Sequence, residues 1–187
     1  MIRSLFTLLY LTFISTDLYA IKNYVTLKEL KNNNDNKIIF MRHSLAPGYG
    51  DPENFNINDC SKQRNLDKIG IEQSRIIGNS FKENDIVFTK IFSSYWCRCK
   101  DTAFYLNIGD YNAHKGLNSF YEDHVDRYQT IMELNKLIDS LKSHKGPYLM
   151  VTHYVVVKTI SQLSVSSGGM VVYDMISKKS KYLKISD

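Results

Sequence analysis

An arginine and a histidine directly follow an apolar segment of the chain, residues 37–41. This segment contains β-branched residues and is typical of a buried strand that is covered on both faces. Arg42 and His43 end it, and a loop with several turn residues follows at 44–52. In open α/β sheets, ligands bind beyond the carboxyl ends of the strands, where a guanidinium and an imidazole could hold and attack a phosphate. Taken alone, the pair is better explained as a solvated arginine and a buried, hydrogen-bonded histidine.

Two more predicted strands end in polar side chains of similar kinds. Ser93 and Ser94 end one of them and lead to Arg98, whereas Thr152 and His153 end the other. Because the carboxyl ends of parallel strands meet at one edge of a sheet, the two arginines and the two histidines should converge there. Arginine binds phosphate oxygens in pairs, and a phosphate monoester is an anion near neutral pH. The sequence therefore predicts a cationic phosphate site that needs no metal and no cofactor.

The elements that position these residues alternate between strands and helices. Strands are predicted at 37–43, 90–93, 148–152, 170–176 and 182–185, and helices at 25–30, 67–81 and 128–141, through Ala103 and Leu106, and through Ile160 and Leu163. The helix at 67–81 has a predicted N-cap at Asp67 and a predicted buried face of Ile69, Ile76, Ile77 and Phe81. This order indicates an α/β fold, a three-layer sandwich with a mainly parallel central sheet flanked by helices. The chain of 187 residues is long enough for about one such domain, which we assign to residues 21–187.

The first twenty residues have the pattern of a signal peptide. Arg3 is followed by an apolar run at 5–15 and by a possible cleavage site that ends in Ala20. The run is shorter than the roughly 20 residues that a membrane-spanning helix needs. We therefore expect cleavage after Ala20 and a periplasmic or secreted protein. Leu18 stands where a small residue is usual, so an uncleaved membrane anchor is the alternative.

The charge and the cysteines narrow the classes of partner. The net charge of +5 is spread along the chain without a long basic run, which speaks against nucleic-acid binding and suits an anionic substrate.

Three cysteines are present, Cys60, Cys97 and Cys99, and their spacing is not that of a zinc site. Because disulfides persist outside the cytosol, we predict a bridge from Cys60 to Cys97 or Cys99. The alternative is that the three cysteines form no bridge and are buried as small apolar side chains.

Four segments together resemble the motifs of a known family. Met41-Arg42-His43-Ser44 resembles the Arg-His-Gly signature of the histidine phosphatase superfamily, which includes cofactor-dependent phosphoglycerate mutase, with Ser44 in place of the usual glycine. The segment Ser94 to Ala103 is similar to its second motif, Ser-x-x-x-Arg-x-x-x-Thr-Ala, and Val151-Thr152-His153 is similar to its third. Leu66, Gly70 and Gln73 resemble its Leu-x-x-x-Gly-x-x-Gln segment. The resemblance extends from residue 37 to about residue 175.

This resemblance implies an activity and a role for each matched residue. His43 would attack phosphorus and become a phosphohistidine, while Arg42, Arg98 and His153 would bind the phosphoryl oxygens. The protein would then be a metal-independent phosphatase with a phosphoglycerate mutase-like fold. Its substrate would be a small phosphorylated molecule or a phosphoprotein.

The resemblance fails at the group that would protonate the leaving group. Many members of the superfamily have a glutamate two residues after a leucine in this region, but here Leu117 and Asn118 are followed by Ser119. The alternatives nearby are Glu122, Asp123 and Asp51, of which we favour Glu122. The missing glutamate also motivates an alternative function, a catalytically impaired phosphate-binding module of the same fold.

Overall fold

A computed structural model of the chain describes residues 23–142 and 145–185, and the signal peptide predicted for residues 1–20 lies outside these ranges. The described residues contain seven strands: β1 (Tyr24–Thr26), β2 (Lys37–Arg42), β3 (Lys90–Ser93), β4 (Tyr111–Ala113), β5 (Tyr148–Thr152), β6 (Met170–Asp174) and β7 (Ser180–Lys184). They also contain five α-helices: α1 (Leu27–Asn32), α2 (Lys68–Glu83), α3 (Cys97–Leu106), α4 (Arg127–Leu141) and α5 (Tyr154–Ser161). Three short 3-10 helices lie at Cys60–Lys62, Lys115–Leu117 and Tyr121–Asp123.

All seven strands belong to one sheet in the order β1-β7-β6-β2-β5-β3-β4. Strands β2, β5, β3 and β4 are mutually parallel, whereas β6 runs antiparallel to both of its neighbours. The predicted α/β fold with a mainly parallel sheet is therefore confirmed. Because β2, β3 and β5 are adjacent and parallel, their carboxyl ends meet at one edge of the sheet.

The central strand β2 is buried on both faces, which explains its continuous apolar sequence. Ile39 and Met41 point into one core, together with side chains of α2 and α3. Ile38 and Phe40 point into the opposite core, which α4 and α5 cover. The alternation of neighbouring residues between the two cores follows from the period of two residues in a strand. The three-layer arrangement is the result.

The structure differs from the sequence prediction at both ends of the sheet. Residues 24–26, of which Val25 had been included in a helix, form β1 and pair with β7. The helix begins only at Leu27, where Thr26 and Glu29 form a capping box. At the other edge, the three-residue strand β4 was not predicted. Short edge strands have too few residues to give a clear period in the sequence.

The buried face of α2 was only partly correct in the sequence prediction. Asp67 is its N-cap, and Ile77 and Phe81 are buried, as predicted, but Ile69 and Ile76 are 66% and 55% exposed. Instead, the helix presents small residues inward, and a Cβ atom on Gly78 would lie 1.9 Å from the carbonyl oxygen of Leu106. Helices α2 and α3 therefore lie closer together than they would if large apolar side chains separated them.

Helix α5 is shorter than predicted, because Gln162 adopts a left-handed conformation after Ser161 and ends it before Leu163. Within the described ranges, no helix has both the length and the apolar composition that a membrane crossing requires.

Candidate active site

His43 lies immediately after β2 and is almost completely buried, with 3% of its surface exposed. Its backbone N–H donates to the carbonyl oxygen of Thr152 at 2.9 Å, which joins it to the end of β5. Its ring Nδ1 lies 2.8 Å from the carbonyl oxygen of Ser44. A carbonyl oxygen can only accept a hydrogen bond, so Nδ1 carries the proton in the neutral ring. The lone pair on Nε2 is thereby available to attack an electrophile.

Ser44 fits the position of the usual glycine because its hydroxyl has a partner. Its side chain is fully buried, and its Oγ lies 2.7 Å from Oγ of Ser74 in α2. Its backbone N–H donates to Oγ1 of Thr102 at 3.0 Å. Thr102 in turn donates to the carbonyl oxygen of Arg98 at 2.7 Å. The loop after His43 is therefore tied to the helix that carries Arg98.

Gly70 and Gln73 hold the two loops next to His43. A Cβ atom on Gly70 would lie 2.0 Å from the carbonyl oxygen of Leu45, so only glycine permits this approach of α2. The side chain of Gln73 accepts from the N–H of Leu45 and donates to the carbonyl oxygen of Ser167, both at 2.9 Å. Neither residue lines the cavity described below, which indicates a positioning role for this motif.

His153 directly follows β5 and occupies the N-cap position of α5, without a capping hydrogen bond from its side chain. The centroids of its ring and of the His43 ring are 5.5 Å apart. Its Nε2 lies 3.0 Å from Oγ of Ser94 and 3.4 Å from Sγ of Cys99. Its Nδ1 is buried and has no hydrogen-bond partner within the described part of the chain.

Arg98 forms a buried ion pair with Asp51. Two guanidinium nitrogens donate to the two carboxylate oxygens at 2.9 and 3.2 Å, and indole Nε1 of Trp96 donates to the same carboxylate at 2.9 Å. The side chains of Arg98 and Asp51 are only 4% and 3% exposed. Burial alone would raise the pKa of Asp51, but the hydrogen bonds from Arg98 and from the backbone of Arg64 lower it overall. This arrangement favours an anchoring role for Asp51 over that of a proton donor.

Sequence reasoning missed a third arginine. Nε of Arg64 donates to the carbonyl oxygen of Gly50 at 2.8 Å, and its Nη1 donates to the carbonyl oxygen of Ala46. These bonds hold the guanidinium in place, and Arg64 lines the same cavity as Arg42 and Arg98. The only signal in the sequence was its position, two residues before Leu66 of the recognised motif. An isolated basic residue in a loop is most often solvated, so this signal was weak.

These side chains converge on one cavity of about 370 Å³, which we call the strand-end cavity. Its lining consists of Arg42, His43, Gly48, Tyr49, Gly50, Arg64, Arg98, Ser119, Tyr121, His153, Tyr154 and Val155. The four residues predicted to converge are thus together, and Arg64 joins them. No acidic side chain belongs to this lining among the described residues. The roles of the individual residues in catalysis stay predictions.

The electrostatics of the cavity favour neutral imidazoles. Burial lowers the pKa of His43 well below its usual value of 6.5, and the positive charge of Arg98 lowers it further. Burial and the same arginine have the same effect on the pKa of His153. A neutral imidazole is the form that can act as a nucleophile.

The two shifts predict how stability depends on pH. Because both histidines have folded-state pKa values below those of about 6.5 in an unfolded chain, the unfolded state binds more protons below that pH. We therefore expect the free energy of unfolding to have its highest value above about pH 6.5 and to decrease as the pH falls below 6.5. Urea denaturation between pH 7.5 and pH 5 measures this. His43→Asn removes one of the titrating groups and should flatten the decline; an equally steep decline in that variant would contradict the assignment.

The favoured proton donor, Glu122, lies beside the cavity but not in its lining. Its carboxylate accepts a hydrogen bond from the N–H of Asp51 at 3.2 Å and lies 3.6 Å from Nε2 of His124. A Cβ atom on Gly50 would be 2.3 Å from this carboxylate, so the glycine makes room for it. Asp123 is also absent from the lining, whereas Ser119, at the position of the usual glutamate, is buried and lines the cavity.

A disulfide joins Cys60 to Cys97, with their Cα atoms 5.7 Å apart. This confirms one of the two predicted pairings. Cys97 is the first residue of α3 and directly precedes Arg98, so the bridge links the loop after His43 to the second motif. Cys99 is a free, buried thiol, and burial raises its pKa to about 12. It is therefore an unreactive thiol in the native protein.

We expect the bridge to position Arg98. Denatured protein that has not been reduced should contain one free thiol, whereas three would rule out the bridge. Removal of the bridge that closes this loop of 37 residues, for example in Cys60→Ser, should lower the free energy of unfolding by about 4 kcal/mol in the chain-entropy model.

Reduction of the disulfide should lower kcat/KM by about 100-fold before the protein unfolds, because a displacement of about 1 Å at a catalytic group can have this effect. An activity that reductant leaves unchanged would contradict the positioning role.

A larger hollow, of about 1060 Å³, lies between α2 and strands β6 and β7. Its lining is mostly apolar and includes the exposed Ile69 and Ile76, and it contains neither histidine. The smaller strand-end cavity is the candidate active site because the ionisable groups converge there. No group of three or more metal-ligating side chains occurs in residues 23–142 and 145–185. Metal independence stays a prediction.

Comparisons with solved structures give the same fold. The protein histidine phosphatase SixA complexed with tungstate has a TM-score of 0.54 and 15% identity, and the match covers 78% of this chain and 93% of that chain. A phosphoserine phosphatase mutant from Entamoeba histolytica with bound phosphoserine has a TM-score of 0.52 and 17% identity, over 78% and 94% of the two chains. A mycobacterial glucosyl-3-phosphoglycerate phosphatase has a TM-score of 0.55 and 11% identity, over 79% and 96%. Neither a protein-family model nor a curated protein matches the sequence.

At these identities the likeness concerns the fold. The described residues have the phosphoglycerate mutase-like α/β fold that these phosphatase structures share. The resemblance that the sequence motifs indicated is confirmed at this level.

Proposed function

We propose that the protein is a phosphatase that hydrolyses a phosphomonoester or a phosphohistidine. Nε2 of His43 attacks phosphorus, and the bond from phosphorus to the leaving group breaks as the phosphorus–nitrogen bond forms. The leaving group departs with the bonding electrons and takes up a proton. Water then attacks phosphorus, the phosphorus–nitrogen bond breaks, and inorganic phosphate and the free histidine are released. The attacking water gives up a proton, which replaces the proton that the leaving group took up in the first step.

One observation carries this proposal: a histidine with its Nε2 lone pair available lies in a cavity lined by three arginines. Phosphoryl transfer depends mainly on positioning and on electrostatic stabilisation of the transferring group. Arg42, Arg64 and Arg98 supply that positive charge, and His153 lines the same cavity. The ion pair with Asp51 fixes Arg98 before a substrate binds, so little reorganisation is needed.

The solved structures with a similar fold support this class of reaction. SixA is named a protein histidine phosphatase, and the Entamoeba histolytica protein a phosphoserine phosphatase. Phosphatases for a phosphoprotein and for a small phosphomonoester therefore both occur on this fold. We propose that the present chain takes a substrate from one of these two groups.

A quenched reaction tests the mechanism directly. The protein is mixed with a phosphatase substrate, stopped in alkali, digested and analysed by mass spectrometry. We expect a phosphoryl group on the peptide that contains His43, lost on brief acid treatment, together with release of inorganic phosphate. Turnover without any phosphohistidine would overturn the covalent mechanism.

A phosphate-binding module without catalysis is the second candidate. It is favoured by Ser119 at the position of the usual glutamate and by the location of Glu122 outside the cavity lining. A binding measurement with inorganic phosphate, made beside the quenched reaction, distinguishes the two functions. Binding of inorganic phosphate without release of phosphate from any ester would support the binding module.

The leaving-group acid predicted from the sequence is Glu122, and its substitution has a substrate-dependent signature. Glu122→Gln should lower kcat/KM for an alkyl phosphate by about 100-fold, since the alkoxide must be protonated as it leaves. It should have little effect on 4-nitrophenyl phosphate, because nitrophenolate leaves without a proton. Asp123→Asn is the matched control and should retain both activities. Equal losses on the two esters would contradict the role of Glu122 as the acid.

We propose that the protein is exported, to the periplasm or to the medium, after cleavage behind Ala20. The disulfide between Cys60 and Cys97 supports this location, because such bonds persist outside the reducing cytosol. The mass of the mature protein from the host tests the cleavage. An intact amino terminus in a membrane fraction would instead support the uncleaved anchor.

A further inference from the structure

Three tyrosines line the strand-end cavity, and their positions bear on the substrate. Tyr49, Tyr121 and Tyr154 are 100%, 53% and 40% exposed. All three line the cavity that contains Arg42 and His43. Exposed aromatic rings grouped around a cavity are frequent at sites that bind ligands or partners. These rings are accounted for neither by the core nor by the binding of a phosphoryl group.

The surroundings of Tyr49 and Tyr154 indicate how the rings are presented. Tyr49 lies between Gly48 and Gly50, which have φ angles of 89° and 62°, a backbone that favours glycine. Its side chain is completely exposed and contributes nothing to the core. The ring of Tyr154 lies 5.7 Å from the guanidinium carbon of Arg42, and its hydroxyl lies 3.2 Å from Oγ of Ser164. The ring of Tyr154 therefore lies beside an arginine of the cavity, and the ring of Tyr49 is exposed to solvent.

The rest of the lining leaves few other modes of recognition. Among the described residues it contains no acidic side chain that could bind an ammonium group, and no lysine. Beyond the histidines and arginines, the larger side chains are the three tyrosines and Val155. The volume of about 370 Å³ is near the lower end of the roughly 300 to 1000 Å³ of small-molecule sites. A phosphate together with one ring system is of suitable size.

We infer that the phosphorylated group taken by this site carries an aromatic ring beside its phosphate, which Tyr49, Tyr121 and Tyr154 contact. The inference names the substrate class of the phosphatase proposed above and rests on that function. The phosphate binds to the arginines and the ring to the tyrosines. In the reaction, the bond between phosphorus and the aromatic leaving group breaks as the bond from phosphorus to Nε2 of His43 forms. The aromatic group leaves as an anion, which a proton from solvent or from a side chain neutralises.

Two phosphonates of equal charge and similar size separate ring recognition from chemistry. Phenylphosphonate has an aromatic ring and cyclohexylphosphonate a saturated one, and neither can be hydrolysed. Calorimetry should give a dissociation constant about 2- to 12-fold lower for phenylphosphonate, the range expected for an aromatic pair beyond its buried area. The variant Tyr49→Leu/Tyr121→Leu/Tyr154→Leu keeps apolar side chains and should bring the ratio close to one. Tyr128→Leu, at a 74% exposed position of α4 outside the cavity, should keep the preference.

The outcomes distinguish this inference from the function on which it rests. Equal dissociation constants in the wild-type protein, or an unchanged preference in the triple variant, would overturn the aromatic substrate class. Hydrolysis of phenyl phosphate is measured in parallel. Its absence, with the binding preference intact, would overturn the phosphatase function and leave aromatic recognition standing. If neither phosphonate binds, the aromatic substrate class is overturned, and if phenyl phosphate is not hydrolysed either, the phosphatase function fails with it.

Discussion

His43→Ala is expected to lower phosphatase turnover by about 10⁴-fold or more and to leave the fold intact, since removal of a nucleophile has effects of this order. Among the described residues, His153 is the other imidazole of the lining, and its Nε2 lies against Ser94 and Cys99. Steady-state kinetics and far-ultraviolet circular dichroism of the variant measure the two parts of this expectation.

A matched control separates the loss of a nucleophile from the loss of any histidine. His114 is half-buried and lies outside the cavity lining, so His114→Ala should retain turnover. A His43→Ala protein that folds and works at the wild-type rate would refute the covalent mechanism. A protein that fails to fold is recognised from its circular dichroism, and His43→Asn, with a smaller change in volume, then replaces it in the kinetic comparison.

Arg98→Ala is expected to affect both activity and stability, for two separate reasons. Loss of a guanidinium that stabilises the transition state should lower kcat/KM by about 100-fold or more. The same change leaves the carboxylate of Asp51 buried without its ionic partner. Removal of one member of a buried ion pair typically lowers the free energy of unfolding by about 3 to 5 kcal/mol. Urea denaturation and steady-state kinetics measure the two effects.

The double variant Asp51→Asn/Arg98→Ala resolves the two effects. It removes the unpaired charge, so it should recover much of the stability that Arg98→Ala loses, but none of the activity. If activity returned together with stability, the arginine would serve the fold only. Arg98→Lys keeps the charge without the bidentate geometry, and it should fall between the wild-type protein and Arg98→Ala in activity.

The strands that form the site could be predicted from the sequence because each is short, apolar and followed by polar residues. Strands β2, β3 and β5 were found at or within one residue of their observed bounds. Parallel neighbours meet at one edge, so the convergence of His43 and His153 followed from the order of elements alone. Fold and convergence therefore depend on patterns that are local in the sequence.

The features that escaped prediction depend on contacts between distant segments. The ion pair of Asp51 with Arg98 joins residues separated by 47 positions, and no pattern within either segment indicates it. Arg64 is directed into the cavity by carbonyl groups of its own loop, which sequence reasoning cannot orient. The inward face of α2 was misjudged at Ile76 because close packing of the helix uses small residues such as Gly78.

The hydrogen bonds that assemble the site also determine when it can form during folding. The side-chain bond of Thr102 to Ser44 spans 58 positions, that of Gln73 to Ser167 spans 94, and that of Arg98 to Asp51 spans 47. Contacts of such long range close large loops of chain, which makes them slow to form. The phosphate site thus needs segments that are far apart in the sequence to be docked on one another. We therefore expect a newly synthesised chain to acquire its reactivity late in folding.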